Sequence, residues 1–110
     1  HMGSLASIVD INCSNYLYIL INNGVHDSVG GQKIGACNIN FCAVAKGCGF
    51  KKVISIKNKV EIKKINNIQN FKGPTFIEII TKPGYRLNLI RPKNSPKKNK
   101  ELLLKSLLGN

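Results

Sequence analysis

The chain has 110 residues, 43% of them hydrophobic, with a formal net charge of +12. That is enough for one small domain with one core, and too apolar for a disordered chain. The longest apolar run, "YLYILI", has six residues, far short of a bilayer span.

In chain order, residues 3–12, "GSLASIVDIN", place Leu5, Ile8 and Val9 at helical spacing and predict a short helix. "NYLYILINN" is a continuous apolar, β-prone run, the pattern of a strand covered on both faces. A long loop follows from Asn23 to about Asn38, carrying Gly24, Gly30, Gly31 and Gly35. Its length exceeds what a simple connection needs, and such loops often carry function. "NINFCAVAKGCGF" puts Phe41, Val44, Ala45 and Cys48 on one helical face, with Gly49 as the stop. "KKVISIK" predicts a second strand. "NKVEIKKINNIQNF" has Val60, Ile62, Ile65 and Ile68 near helical spacing and predicts a helix. "GPTFIEIITK" is a third strand, and "PGYRLNLIRPKNSP" is irregular. A closing amphipathic helix follows, with Ser95 as N-cap, Pro96 as its first residue and Gly109 as its stop. Strands alternating with helices predict an α/β fold. The expected form is a three-layer parallel sheet with helices on both faces, one unit over residues 1–110.

The charge is lopsided, since residues 46–110 hold 16 of the 17 basic side chains and three of the five acids. Fifteen of the 17 are Lys and only two are Arg. Base readers lean on the bidentate guanidinium, and single-strand binders on aromatic platforms, so nucleic acid is the weaker expectation for a partner. A basic nucleic-acid-binding module stays open as the alternative from another class. With 15 Ile and 14 Asn, the bias also reads as that of an AT-rich genome. Cys13, Cys37, Cys42 and Cys48 lack zinc-site spacing and are expected to be free thiols of a cytoplasmic protein. No signal peptide is legible, and no membrane partner is expected.

The stretch "ILINNGVHDSVGGQ" ends a strand on Asn22, Asn23 and Gly24. One reading is a plain turn, which favours Asn and Gly. The other is a ligand site, since ligands of doubly wound sheets bind at the carboxyl ends of strands. An amide oxygen there is a hard, neutral ligand for Mg²⁺. His26 is either a hydrogen-bonded loop residue or a group at the mouth of a pocket. Asp27 could orient it, and Ser28 could donate to a phosphate oxygen. Gly30, Gly31 and Gln32 either give the loop freedom or let it close over a site. Lys33, Arg86 and Arg91 are candidates for attracting an anionic substrate, or simply solvated cations.

Together, "MGSLASI", "LINNGVHDSVGGQ", "FCAVAKGCGF" and "GPTFIEIITKPGYRLNLIRPKNSPKKNKELL" resemble the C-terminal part of thiamine-diphosphate-dependent decarboxylases. The likeness is nearest to those acting on phosphonopyruvate, with the sulfopyruvate enzymes close behind. It covers essentially the whole chain in order. The family's split cofactor motif opens with G-D-G, whose Asp binds the metal, and closes a little under thirty residues later with an Asn.

By this resemblance Asn23 is the closing Mg²⁺ ligand and the carbonyl of Val25 another. Gly24 and Ser28 would lie against the thiamine diphosphate, and His26 and Asp27 would be the catalytic candidates. The substrate would be a 2-oxo acid with a terminal phosphonate or sulfonate. The G-D-G half is absent, and the family's spacing would put it just before His1. "HMGS" matches a cloning scar, yet "MGSLA" fits the family pattern, and we read these residues as native in large part. The expectation is a pyrophosphate-binding domain incomplete at its start, inactive alone. It would work in a homo-oligomer or with a complementing N-terminal chain.

Overall fold

The structure, a computed structural model, describes residues 3–90 and 92–109, apart from the side chains of Ala36 and Cys37. Helix α1 covers Gly3–Asp10, two residues shorter than the spacing predicts. It ends where Asn12 takes a positive φ of 52°, a conformation Asn tolerates better than most residues. Strand β1 follows at Leu17–Asn22. The long loop is more ordered than expected. It holds a small antiparallel hairpin, β2 (Val25–His26) and β3 (Gln32–Lys33), around a 3₁₀ turn at Asp27–Val29. Helix α2 spans Phe41–Gly47, with the Asn40 side chain accepting from Ala43 N at its start. Gly49, just past it, has φ +96°, and a Cβ there would lie 3.1 Å from Val9. Glycine therefore suits both the helix stop and the close approach of α1.

Strands β4 (Lys52–Ile56) and β5 (Thr75–Ile80) complete a three-stranded parallel sheet of order β1-β5-β4. Leu17 of β1 and Lys52 of β4 both stand in register with Thr75. The walk from β1 to β4 skips one position and the walk to β5 steps back. Right-handed crossovers in opposite directions fall on opposite faces of a sheet. Accordingly α2 packs on one face, and the 59–70 segment lies on the other, with Ile62 near Ile56 and Ile79. The expected α/β class with helical segments on both faces is the observed one.

The first face carries the larger core. Leu5 from α1, Ala45 from α2, Phe50 and Phe76 are buried together, with Tyr18, Leu20 and Val53 packed around them. Phe76 stacks on Tyr18 at 5.4 Å and meets Phe50 edge-on at 5.6 Å. Both arrangements suit the ring quadrupoles. On the second face Thr75, Ile77 and Ile56 are buried.

Two expectations need correction. The 59–70 segment is not an α-helix but two 3₁₀ stretches, Lys59–Ile65 and Ile68–Asn70. Its apolar positions are β-branched and Asn66-Asn67 interrupts it, so α-propensity is low. Strand β1 is not covered on both faces. Tyr18 and Leu20 point into the core, while Leu17, Ile19 and Ile21 are 38%, 47% and 59% exposed. Helix α3 (Pro96–Leu108) has the expected caps, with Ser95 Oγ accepting from Lys98 N at 3.2 Å. None of its residues is buried. Among the described residues no helix is long and apolar enough to cross a membrane.

Candidate functional site

The three parallel strands end together, and β1 ends on Asn22. Asn22 and Asn23 repeat one arrangement. Asn22 donates its Nδ2 to Glu78 Oε1 at 2.9 Å, and its Oδ1 accepts from Gly24 N at 3.2 Å. Asn23 donates its Nδ2 to Asp27 Oδ2 at 2.8 Å, and its Oδ1 accepts from Val25 N at 3.2 Å. These are two overlapping Asx turns. An ionised carboxylate can only accept, so each acid fixes which end of its amide is the NH₂. Each oxygen is thereby turned back on the chain two residues further on. The turn-forming reading of the two asparagines is realised. It does not use up the oxygens, because an amide oxygen carries two lone pairs.

Gly24 follows at φ +73°, where glycine carries no Cβ penalty. Its carbonyl accepts from Ile34 N at 3.2 Å, which opens the β2-β3 ladder. Val25 stands opposite Lys33 at the next position, the non-hydrogen-bonded one of an antiparallel pair. The Val25 carbonyl is therefore directed out of the ladder. His26 is exposed, and its backbone carbonyl accepts from Gly31 N at 2.9 Å, closing the loop. Ser28 is exposed on the 3₁₀ turn.

Asp27 does more than cap Asn23. Its Oδ2 also accepts from Gly84 N at 3.0 Å, tying the loop to the segment after β5. The structure thus pairs Asp27 with Asn23 and Gly84 and not with His26, against the expectation that it orients the imidazole. Lys33 joins the site through the hairpin register. Arg86 lies two residues beyond Gly84 and is exposed. Arg91 lies outside the described residues.

Beside the turn, a cleft of about 370 Å³ opens at the carboxyl ends of the strands, lined by Asn22, Asn40, Cys42, Ser55, Lys57 and Glu78. Glu78 is only 7% exposed although it carries a carboxylate. Its second oxygen, Oε2, lies 3.5 Å from Cys42 Sγ, within the reach of a sulfur donor. Burial pushes the Cys42 thiol up, and its contact with Glu78 adds to the shift. Cys42 is therefore held as a neutral donor. Sequence reasoning passed over Glu78, Cys42 and Ser55. The available signal was one acid inside the apolar run "TFIEII".

The donors suit a hard cation in kind and fall short in number. Asn23 Oδ1 and the Val25 carbonyl are neutral oxygens, the type Mg²⁺ takes. Among the described residues no group of three or more His, Cys, Asp or Glu could hold a metal by itself. These oxygens would be part of a shell completed by other groups.

No protein-family model matches the chain. Known proteins do. The chain is 32% identical over 96 residues to the phosphonopyruvate decarboxylase of Streptomyces hygroscopicus, covering 86% of this chain and 24% of that protein. It is 31% identical over the same length to the phosphonopyruvate decarboxylase of Streptomyces viridochromogenes, with the same coverage. Over this stretch the chain is homologous to these decarboxylases. The sulfopyruvate decarboxylase subunit beta of Methanocaldococcus jannaschii is 39% identical over 51 residues, 46% of this chain and 27% of that subunit. The chain spans about a quarter of the length of these decarboxylases. The resemblance read from the motifs is thus matched by relatives of the same kind.

Proposed function

We propose that this chain is part of a thiamine-diphosphate- and Mg²⁺-dependent decarboxylase that converts phosphonopyruvate to phosphonoacetaldehyde and CO₂. The observation that carries the reading is the doubled Asx turn at the end of β1. It holds Asn23 Oδ1 and the Val25 carbonyl where a parallel sheet binds its ligands, in a chain whose relatives are decarboxylases. Asn23 and Val25 would hold the Mg²⁺, which would supply positive charge to offset the charge of the cofactor's phosphates. Gly24 keeps the backbone close, and the Ser28 hydroxyl would donate to a phosphate oxygen. The bound cofactor supplies the electron sink for loss of CO₂.

The chain's own residues bind and orient. His26, exposed beside the turn, would contact the substrate. Lys33 and Arg86 would draw a substrate with two anionic ends. Asp27 keeps the turn and the segment after β5 in one piece. The protein would act in a homo-oligomer or with a complementing chain that supplies the remaining metal charge, and this polypeptide alone would be inactive. Sulfopyruvate is the second candidate substrate, favoured by the 39% identity to a sulfopyruvate decarboxylase subunit.

The test is CO₂ release by the full-length parent supplied with each 2-oxo acid. The expected result is turnover of phosphonopyruvate that requires both thiamine diphosphate and Mg²⁺ and is abolished in Asn23→Leu. Turnover without metal, or none with either acid, would overturn the reading.

A further inference from the structure

We propose that Glu78 is a positioning residue: its buried carboxylate fixes the Asn22 amide and, through it, the turn that presents Asn23 and Val25. The inference rests on the cofactor reading above. Glu78 sits at the centre of the sheet, flanked in register by Leu20 and Ser55. A carboxylate there is costly to bury, and no cation among the described residues forms an ion pair with it. An apolar residue would suit the strand better. What the carboxylate does instead is specific. Its Oε1 takes the Asn22 NH₂ at 2.9 Å, which leaves Asn22 Oδ1 no choice but to face Gly24 N. The Asn22 carbonyl is held as well, by Thr81 N at 2.9 Å. Asn22 is thus tied to β5 through both its side chain and its backbone. The Asn23 turn starts from that fixed point. Cys42 supplies a donor to the second carboxylate oxygen at 3.5 Å.

A purely structural acid and a positioning acid predict different outcomes for the full-length parent. Replacing Glu78 by Met removes a buried charge and leaves the Asn22 amide free to rotate. Glu78→Gln keeps an acceptor for Asn22. Calorimetric titration with Mg²⁺ and thiamine diphosphate should show Glu78→Met binding about 10- to 100-fold more weakly, the usual loss for a residue that orients a metal ligand. Its melting temperature should stay level or rise, and Glu78→Gln should keep wild-type affinity. Asn22→Leu should reproduce the affinity loss should Glu78→Met fail to fold. Hydrogen exchange of residues 22–34, measured without cofactor, should quicken in Glu78→Met and not in Glu78→Gln. Wild-type affinity in Glu78→Met, or an equal loss in Glu78→Gln, overturns the inference. If the wild-type parent binds neither Mg²⁺ nor thiamine diphosphate, the cofactor reading falls instead. The exchange of residues 22–34 then decides the clamp alone, and unchanged exchange overturns it.

Discussion

Two adjacent asparagines make the same pair of bonds, each NH₂ to a carboxylate and each oxygen to the backbone two residues on. The sequence shows the amides and the glycine, and taken alone they favour a turn over a ligand site without deciding it, because both use the same residues. It did not show which acids fix them. Asp27 is local to Asn23, whereas Glu78 is 56 residues from Asn22 and meets it only once β1 and β5 pair. Asp27→Ala should free both the Asn23 amide and Gly84 N. Amide exchange at Gly84 should then quicken while the melting temperature moves little, since Asp27 is exposed. A large drop in melting temperature would show that the bond supports the core instead. The Cys42 thiol, held neutral by burial and by Glu78, should react with iodoacetamide more slowly at pH 8 than Cys13. Mass spectrometry of the two peptides reads the order, and faster labelling of Cys42 would contradict the contact.

Among the elements, the caps, the three sheet strands and helices α1 to α3 were legible; the hairpin β2-β3 and the 3₁₀ type of residues 59–70 were not. Ser95, Pro96 and Gly109 bound α3 as their chemistry dictates. Because α3 buries none of its residues, its thirteen residues depend largely on these caps and on propensity. Ser95→Ala should cost about 1 kcal/mol of helix stability and visibly fray residues 96–99 in NMR shifts. The 59–70 stretch shows helical spacing, but spacing cannot separate an α-helix from 3₁₀ turns when the apolar residues are β-branched. Its start is nonetheless well capped: Asn58 accepts from Glu61 N at 3.1 Å, and Glu61 accepts from Lys57 N at 2.8 Å. The bond from Lys57 N, helped by Lys64, holds the Glu61 carboxyl below its ordinary range. A lowered folded pKa contributes stability above the unfolded value, which is lost as pH falls through the folded one. The Lys57 amide shift should therefore titrate below the ordinary Glu range, and titration at or above it would contradict the bond. At the start of β5, a Cβ on Gly73 would lie 2.7 Å from the Tyr16 carbonyl. Gly73→Ala should destabilise by about 1–3 kcal/mol, read from denaturant midpoints.

At the scale of the whole molecule, alternation of strands and helices was enough to give the α/β class. It could not give the order β1-β5-β4, which depends on long-range pairing. Nor could the continuous apolar run of β1 reveal that Leu17, Ile19 and Ile21 stand exposed. Leu87, Leu89, Ile90 and the leucines of α3 are exposed as well. The Cα radius of gyration is 16.4 Å, against roughly 13 Å for a compact domain of this length. Surfaces of this kind associate. The isolated polypeptide should sediment as oligomers at micromolar concentration despite its charge of +12. The central claim, that the turn after β1 grips a divalent cation, is reached most directly by anomalous diffraction from crystals of the full-length parent grown with thiamine diphosphate and Mn²⁺. The account predicts a metal peak bonded to Asn23 Oδ1 and the Val25 carbonyl. A peak bonded elsewhere, with Asn23 Oδ1 still turned only to Val25 N, would contradict it.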